Sequence, residues 1–580
     1  MAQKLRLTSQ KYSAKEVFAS AIDVLVDTGI NHLDKPFTYA LSEKHGKVEV
    51  GSLVSVPFGS KILSGLVINS NAELKNNLKF IKKVIHRNPV ITRNQIDLIQ
   101  SAAERWTGNF WNFLKFALPN IPAKIEVPAI RERGIFRKVE RPELRIGENY
   151  QDLIALIENR VNPGRQLLVV VPDQKELQFL RNNLKKSFIE YGSHLEAPAR
   201  IDNYLKILAG SVNLIIGTRS SIFLPLKEDA EILIVDDLSF AFYESRFPYW
   251  NVRDLSLIRS SQNAVTFYSH SPSLELVRLA EINWIRVRQK KAVRPALFFK
   301  DGKFSYQSII KNGLREGAVL VLTPERGYIN ALVCAKCRNL YKCQECNGRL
   351  ILESASEKTK CNLCGATSKK SNCNFCNSDS ILSFRKGTDR TLEELGKQFP
   401  NTPIRKGESV SEQSAKGTII ISTYDSFPIQ NYSAVVSLKF ENFSYRNNLR
   451  SSEIARKLLF DIRALGAKNN YFEIDSSDYF SQVILIGDSF KSAERELAER
   501  KIAKLPPEYR IVTIDCDRKS AEIFQDQLFV DSVTYSGSVA VIKTPIINGA
   551  KLSSFIKEIT NYRSLRRLKP WSVKVDPLDI

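Results

Sequence analysis

The segment EILIVDD at residues 231–237 sets the fold of the central chain, because an apolar run here stops abruptly at two acidic residues. Upstream, QLLVVVP (166–172) and NLIIGT (213–218) have the same form, and stretches with helical periodicity, such as QDLIALIENRV, separate them. Near-continuous apolar strands are typically buried on both faces. Their alternation with helices therefore predicts a parallel α/β sheet.

The same pattern returns further along the chain. AVLVLT (318–323), TIIIST (418–423) and AVVSL (434–438) predict a second α/β lobe, and VILIGD (483–488) is expected to form a strand. Residues 17–72 contain short β-rich runs punctuated by glycines, which predict a small barrel or sandwich. The predicted multidomain α/β organisation is a β-rich domain 18–122 that includes helical residues 91–117, a linker 123–148, a first lobe 149–300, a second lobe 301–481, and a small α+β C-terminal domain 482–580.

Length and charge narrow the possible functions. A chain of 580 residues with 43% hydrophobic content can bury several cores. Its formal charge of +23 favours a polyanionic partner such as nucleic acid, the alternative being a generally lysine-rich proteome. Residues 278–294 alone contain six basic residues and one acid. No apolar run is long enough to span a membrane and no signal peptide is recognisable, so we expect a cytoplasmic protein with reduced cysteines.

Eight of the nine cysteines form four C-x-x-C pairs within residues 333–378. Each pair offers two thiolates to a tetrahedral metal ion, so four pairs predict two structural zinc sites, with an iron–sulfur cluster or a redox dithiol as alternatives. The turn after each second cysteine favours a residue that tolerates positive φ, which suits Asn347, Gly365 and Asn377 but suits Arg338 poorly. The pairs are Cys334/Cys337, Cys343/Cys346, Cys361/Cys364 and Cys373/Cys376.

Two α/β lobes raise the question of nucleotide hydrolysis, which requires a G-x-x-x-x-G-K-[ST] phosphate loop. No Gly-Lys dipeptide in the chain is followed by serine or threonine. We expect such a phosphate loop to lie between a helix over 151–161 and the strand at 166–171. The sequence at that position reads NPGRQ. Asp236 and Asp237 could hold magnesium at the end of their strand, as a degenerate Walker B motif. The alternative is that they cap the following turn.

Several separate motifs, among them SVPFGSK (55–61), GTRSSIFLPL (217–226) and the cysteine array, carry a family resemblance. They resemble those of the PriA family of bacterial replication restart proteins (primosomal protein N′). The similarity covers nearly the whole chain, and the cysteine array, the GTRS motif and the VPFG motif are its most specific parts. The other motifs that carry it are HLDKPFTYAL (32–41), AERWTGNFWNFLKFALP (103–119), YWNVRDLSLIRS (249–260), SHSPSLEL (269–276) and WSVKVDPLDI (571–580).

The chain also departs from the family pattern. The phosphate loop is missing, D-D-L-S replaces D-E-E-H at 236–239, and the arginine-finger motif is unrecognisable near DIRALGAK (461–468). These departures resemble the shortened, helicase-degenerate PriA of actinobacteria, with the winged-helix region reduced to 123–148. The resemblance implies two degenerate RecA-like lobes in a DNA-binding protein that recognises stalled or branched replication forks. Such a protein would initiate restart by primosome assembly and helicase reloading, without helicase activity of its own.

The resemblance further implies site residues and partners. Forked or branched DNA, primosome proteins, the replicative helicase and single-strand-binding protein would be the partners of a monomeric, nucleoid-associated chain. Recognition of a 3′ end would be weak, because the family usually has aspartate where Thr38 stands. The 3′-DNA-end pocket would consist of Phe37, Thr38, Gly59 and Lys79. The two zinc ions would be held in nested fashion, one by Cys334, Cys337, Cys373 and Cys376 and the other by Cys343, Cys346, Cys361 and Cys364.

Two other functions stay open at this point. One is an active ATP-dependent 3′–5′ DNA helicase that uses an unorthodox nucleotide loop. The other is a zinc-ribbon protein that acts on RNA or on the transcription machinery. Nucleotide hydrolysis would distinguish the helicase from a scaffold, and preference for forked DNA over RNA would exclude the zinc-ribbon function.

Overall fold

The structure is a computed structural model that describes most of the chain as four successive units. These are an N-terminal barrel, two parallel α/β lobes and a C-terminal α+β domain, with a cysteine module inserted in the second lobe. This arrangement confirms the predicted multidomain α/β class. The described residues are 18–74, 77–130, 140–289, 295–324, 332–343, 350–351, 358–361, 366–369, 373, 375–383, 388–410, 413–444 and 449–578.

The N-terminal domain is a small antiparallel barrel followed by two helices. Its elements are β1 (Phe18–Val26), β2 (Pro36–Ser42), β3 (Leu53–Phe58), β4 (Lys61–Ala72), β5 (Lys83–His86), α1 (Arg93–Arg105) and α2 (Phe110–Ala117). The strand order is β2-β1-β4-β3-β5, and a bridge between Ala40 and Phe80 joins the chain just before β5 back to β2. The helical stretch predicted over 91–117 is broken, because Thr107 has a φ of 55° that ends the first helix.

The first lobe contains a seven-stranded sheet whose strand pairs are all parallel. Its elements are β6 (Glu143–Ile146), α3 (Tyr150–Arg160), β7 (Leu167–Val170), α4 (Gln174–Asn183), β8 (Ile189–Tyr191), α5 (Ala197–Leu208), β9 (Leu214–Gly217), β10 (Glu231–Val235), α6 (Val252–Arg259), β11 (Ala264–Ser269), α7 (Leu274–Glu281) and β12 (Arg286–Gln289). The order is β12-β6-β11-β10-β7-β9-β8. Because β6 lies inside this sheet, the linker prediction for 123–148 was wrong at its C-terminal end.

The second lobe has a six-stranded sheet, again with every pair parallel. It consists of β13 (Ala296–Phe299), α8 (Tyr306–Glu316), β14 (Val319–Thr323), then the module strands β15 (Leu332–Cys334), β16 (Leu350–Ile351), β17 (Lys358–Cys361), β18 (Thr367–Lys369) and β19 (Ile381–Ser383), then α9 (Thr388–Gln398), β20 (Ile404–Lys406), β21 (Ile419–Thr423), β22 (Ala434–Ser437), α10 (Glu441–Ser444), α11 (Ser451–Ala464), β23 (Asn469–Phe472) and α12 (Tyr479–Ile486). The sheet order is β13-β23-β22-β14-β21-β20, so the lobe begins at 296 rather than at 301.

The C-terminal domain combines three helices with a four-stranded antiparallel sheet of order β25-β26-β24-β27. Its elements are α13 (Ser489–Ile502), β24 (Tyr509–Asp515), α14 (Arg518–Ala521), β25 (Ser532–Ser536), β26 (Val539–Pro545), α15 (Gly549–Leu565) and β27 (Ser572–Val575). The run VILIGD is not a strand but the end of α12, which Asp478 caps and Gly487 closes in the left-handed conformation. A short apolar run does not distinguish a buried strand from a buried helix, which is why this prediction was wrong.

Hydrophobic cores cross the boundaries between the units. One cluster contains Trp106 and Phe113 from the first domain, Phe223 and Trp250 from lobe 1, and Val512 from the C-terminal sheet. A second cluster joins lobe 1 to lobe 2. The four units therefore form one packed body. Among the described helices, none combines the length and the apolar composition needed to cross a bilayer.

Candidate functional site

Four cysteines from two distant knuckles meet in the inserted module. Their sulfur atoms all lie within 4.8 Å of one another, with 3.4 Å between Cys334 Sγ and Cys376 Sγ and 3.5 Å between Cys337 Sγ and Cys373 Sγ. Zinc–sulfur bonds of about 2.3 Å place the sulfurs of a tetrahedral site about 3.8 Å apart. An all-thiolate set at this spacing therefore fits zinc, and antiparallel pairing of β15 with β19 brings the knuckles together.

Both knuckles close with the same backbone turn. The N–H of Arg338 donates to the carbonyl of Cys334 at 3.0 Å, and the N–H of Asn377 donates to that of Cys373 at 2.9 Å. Arg338 and Asn377 have φ values of 62° and 55°. Arg338 therefore adopts the positive φ of this turn, although it suits that conformation less well than asparagine. Its strain of roughly 1–2 kcal/mol is small beside the stabilisation of about 10 kcal/mol that a structural zinc contributes.

The second predicted ligand set lies partly outside the described residues, because Cys346 and Cys364 are not among them. Its other two members, Cys343 and Cys361, are buried. The N–H of Cys361 donates to the carbonyl of Ala366 at 2.8 Å. In the first set, the N–H of Cys334 donates in the same way to the carbonyl of Asn339, the same number of residues further along the chain. Cys361 and Ala366 thus repeat a backbone contact of the first set.

The acidic pair Asp236 and Asp237 stands at the carboxyl edge of the lobe 1 sheet, where parallel α/β proteins bind ligands. The loop between β6 and α3 lies at this edge. It consists of residues 147–149 and is therefore only three residues long. The NPGRQ segment precedes β7 and so lies at the opposite edge. The position predicted for the phosphate loop was therefore wrong, and the short turn at 147–149 has no room for a phosphate loop.

The start of α3 also has the wrong charge for a phosphate. Asn149 caps the helix by accepting the N–H of Asp152 at 3.0 Å, and its own carbonyl accepts from Tyr268 Oη at 2.7 Å. The N–H of Glu148 donates to the Asp152 carboxylate at 3.2 Å. Carboxylates thus occupy the helix N-terminus, which is the position a phosphate would need.

A lysine from lobe 2 pairs with Asp236 of lobe 1. Lys457 on α11 lies 2.9 Å from the Asp236 carboxylate and also contacts Asp461 one turn further on. Nδ1 of His270 lies 3.2 Å from Asp461. Burial alone would lower the pKa of Lys457, but the two carboxylates outweigh it and hold this pKa well above its usual value. A permanent ammonium therefore occupies the cation position beside Asp236.

The Asp237 carboxylate stabilises the start of the next helix. Its carboxylate accepts the N–H of Ser273, the capping residue of α7, at 3.2 Å. The side chain is 1% exposed, and burial raises the pKa of Asp237 to about 6. One residue further on, the N–H of Leu274 donates to Glu453 of lobe 2 at 3.1 Å. The end of β10 is thus part of the contact between the lobes.

A cleft of about 1020 Å³ remains between the lobes beside this contact. Lys175 lines this cleft with a positively charged side chain. Its Nζ lies 4.5 Å from the ring centroid of Phe427 across the cleft. Burial raises the pKa of the neighbouring Glu176 to about 8, although Lys175 opposes the shift. Most other polar lining groups are uncharged amides, among them Asn149, Gln151, Gln174, Gln178, Asn182, Asn183, Gln413 and Gln430. This lining does not provide the charges that a triphosphate requires.

In the barrel, the predicted pocket residues divide between two faces. Phe37 faces the interior and meets Phe58 edge-on, with ring centroids 5.1 Å apart. Thr38 donates its hydroxyl hydrogen to Asp23 on the neighbouring strand at 2.7 Å, and Asn69 donates to the other Asp23 oxygen at 3.0 Å. A carboxylate is therefore present beside Thr38, although it comes from β1.

The other two predicted pocket residues have exposed or open positions. Gly59 lies in the β3–β4 turn with φ of 59°, and the space where a Cβ would stand is open. Lys79 is exposed, and its backbone carbonyl accepts the N–H of Ala40, two residues from Thr38. The structure thus places Lys79 beside β2, close in register to Thr38.

Sequence reasoning missed Asp23 and Lys457. Ile22, Val24 and Val26 are buried in the barrel, so strict alternation along β1 could have placed Asp23 on the outer face. Its pairing with Thr38 depends on strand register, which one sequence does not define.

Comparison with known proteins is consistent with this architecture. Residues 23–119 match the family model described as the 3′ DNA-binding domain of PriA. The chain is 28% identical to the probable replication restart protein PriA of Mycobacterium tuberculosis, over 84% of this chain and 85% of that protein. It is 24% identical to the replication restart protein PriA of Helicobacter pylori, over 94% and 98% of the two chains. A structure of RecG bound to a three-way DNA junction covers 70% of this chain and 46% of its own, with 11% identity and a TM-score of 0.34.

The fold and the matched domain define a chain with a barrel that matches the 3′ DNA-binding domain of PriA, ahead of two parallel α/β lobes. Relatives that match along most of its length are PriA replication restart proteins. The resemblance to PriA, in its mycobacterial and hence actinobacterial form, is confirmed.

Proposed function

We propose that this chain recognises forked or branched DNA at stalled replication forks and initiates restart without hydrolysing ATP. The observation that supports this most strongly is the Lys457 ammonium beside Asp236, in a chain that retains a matched 3′ DNA-binding domain. A metal–nucleotide complex would have to displace a buried ion pair and enter a turn lined with carboxylates, which is energetically unfavourable.

Recognition of a DNA 3′ end belongs to this proposal. Asp23 can accept the hydrogen of a terminal 3′-hydroxyl, with Thr38 and Asn69 holding its carboxylate in place. The same negative charge would repel a terminal 3′-phosphate. Phe37 and Phe58 are half-buried and offer apolar surface beside Thr38, and exposed Lys79 offers a phosphate contact.

The cysteine module and the rest of the surface would bind partner proteins during primosome assembly. We propose zinc in both four-cysteine sets, which would hold the module rigid as a docking element for primosome proteins and the replicative helicase. Single-strand-binding protein would be a further partner at the fork. This function at replication forks would place the chain in the cytoplasm, at the nucleoid.

Fork binding tests the proposal directly. A three-way fork should bind the full chain at least tenfold more tightly than a linear duplex of equal length, measured by fluorescence anisotropy. Affinity should fall steeply as salt rises, because several phosphates release counterions on binding. Reversing the charge of Lys79, Lys82 and Lys83 should weaken all DNA binding and flatten the salt dependence. Equal affinity for forks, duplex and RNA of the same length would contradict fork recognition and favour the zinc-ribbon alternative.

A further inference from the structure

The outermost strand of the lobe 1 sheet is exposed along its whole length. Strand β12 stands at the end of the sheet order, and in the described part of the chain it pairs with β6 alone. All four of its residues are exposed, whereas every residue of β7 and of β9 is buried. Parallel sheets normally bury both faces of their strands. β12 is therefore a surface element, although it belongs to the sheet of the core.

The outer edge of β12 presents backbone groups that no described residue contacts. The N–H of Arg286 donates to the carbonyl of Pro142 at 2.9 Å, so Arg286 bonds toward β6. Alternate residues of a strand bond to the same neighbour, and Val287 and Gln289 therefore direct their N–H and C=O groups away from β6. An edge of this kind can accept a further strand.

Side-chain contacts hold β12 in its extended form. Arg286 lies 2.5 Å from the Glu140 carboxylate, and Arg288 lies 3.1 Å from that of Glu143 on β6. On the opposite face, Gln289 donates to the capping residue of α13 at 3.1 Å. A strand that is already ordered loses little conformational entropy when a partner binds, which favours association.

The charge around β12 favours an acidic partner. Ion pairs beside β6 and β12 join five arginines to three glutamates, so this group keeps an excess of two positive charges. Its members are Arg145, Arg160, Arg165, Arg286, Arg288, Glu140, Glu143 and Glu231. Pairing β12 with the same strand of a second copy would bring the arginines of both copies together, which is unfavourable. The charge thus argues against a second copy as the occupant.

The two faces of β12 differ in chemistry. Arg286 and Arg288 lie on one face, because successive side chains of a strand alternate. Val287 lies on the other face and is 37% exposed. A strand added at this edge would need acidic side chains beside the two arginines and an apolar side chain beside Val287. A segment that alternates acidic and apolar residues meets both requirements.

We propose that β12 is a docking strand, to which an acidic, extended segment of a partner protein adds by main-chain hydrogen bonds. This inference goes beyond the proposed function, because the docking strand is separate from the 3′-end pocket and from the cysteine module. DNA could contact the two arginines, but it has no N–H and C=O groups to continue a strand ladder. Dependence on main-chain groups therefore distinguishes an added strand from a nucleic acid.

The test measures binding of the full chain to a fluorescent seven-residue peptide of alternating glutamate and valine. The peptide should bind, and one of alternating lysine and valine should not. Val287→Pro removes an outward N–H but no bond to β6, so it should weaken binding roughly fivefold. Val287→Ala keeps that N–H and is the matched control, with affinity within twofold of the wild type. Fork binding should be the same in both variants.

Two N-methylated peptides test the main-chain bonds on the wild-type chain itself. Methylating the nitrogens of the valines, or those of the glutamates, removes the N–H groups from one edge of the peptide or from the other. Only one edge can face β12, so the two peptides should differ at least tenfold in affinity. Arg286→Glu with Arg288→Glu should reverse the preference in favour of the lysine peptide.

Three outcomes would overturn the inference. They are a wild-type chain that does not bind the glutamate peptide, equal affinity for the two N-methylated peptides, and equal affinity of the Val287→Pro and Val287→Ala variants. The last two results would mean that charge alone holds the peptide. A wild-type chain that binds the glutamate peptide as expected but binds no forked DNA would instead contradict the proposed function and leave the docking strand in place.

Discussion

Asp23 lies opposite Thr38 in the register of β1 and β2, on the outer face of the barrel. A threonine at position 38 would by itself be a poorer acceptor for a terminal hydroxyl than a carboxylate. The hydrogen bond from Thr38 to Asp23 shows that the carboxylate is supplied from the neighbouring strand. In the proposed 3′-end pocket, Thr38 would orient the acceptor, and Asp23 would be the acceptor itself.

Asp23→Asn should therefore abolish discrimination between 3′-hydroxyl and 3′-phosphate DNA ends. A charged hydrogen bond contributes about 1.5–3 kcal/mol, so a preference of roughly tenfold or more should fall close to unity. Binding of both oligonucleotides to the full chain, measured by anisotropy, checks this. Asp27→Asn removes the same charge at the end of β1 and should preserve the preference.

Thr38→Asp provides a complementary test at the same site. It would place a second carboxylate directly across from Asp23, where like charges on paired strands repel. One of the two would take up a proton, so end discrimination should not improve. A marked gain in 3′-hydroxyl preference in this variant would show that position 38, and not Asp23, provides the acceptor.

Glu176, at the start of α4, makes lobe 1 sensitive to pH. Burial raises its pKa in the folded chain to about 8, from 4.5 for an unperturbed glutamate. The folded chain therefore keeps a proton that the unfolded chain loses above about pH 4.5. Stability is thus lost as pH rises from about 4.5 to 8.

Glu176→Gln mimics the protonated side chain and should remove this loss. We expect little effect at pH 5 and a gain on the order of 2–4 kcal/mol at pH 8, since each pKa unit is worth about 1.4 kcal/mol. Apparent melting temperatures of wild type and variant across this pH range measure the difference. A gain that is equal at pH 5 and pH 8 would mean that Glu176 titrates normally.

The cysteine module should depend on metal for its structure. Purified protein should contain two zinc ions per chain without the visible absorption of an iron–sulfur cluster. Cys373→Ser should remove one ion and unfold the module, because zinc binding contributes on the order of 10 kcal/mol to local folding. The rest of the chain should melt as before. One zinc in the wild type, or none, would contradict the two-site assignment.

The individual elements were predictable to different degrees. Strands such as β7, β9, β10, β14 and β21 follow directly from uninterrupted apolar runs. β6 was assigned to a linker because residues 123–148 are charged and contain four prolines or glycines. Only its neighbours in the sheet show that ELRI is a strand. At the site, the cysteine pairs were visible in the sequence. The Asp23–Thr38 and Asp236–Lys457 pairs were not, because both depend on contacts between separate elements.

Across the whole molecule, a buried ion-pair network connects all four units. Arg105 of the first domain contacts Asp254 of lobe 1 and lies 3.1 Å from Asp576 near the C-terminus. Glu275 of lobe 1 lies 2.5 Å from Arg450 of lobe 2. Breaking a buried pair typically costs 3–5 kcal/mol, so movement of one unit against another is strongly opposed. Such a body suits a protein that presents DNA and partners in fixed geometry, whereas a helicase motor must open and close its lobes.

The measurement that tests this account most directly is ATP hydrolysis by the full chain with and without forked DNA. We expect no turnover above background in either case, and no change in fork affinity when ATP and magnesium are added. Asp236→Asn should bind forks like the wild type, because the Asp236 carboxylate pairs with Lys457. Robust fork-stimulated hydrolysis that Asp236→Asn abolishes would contradict the account and establish an active helicase.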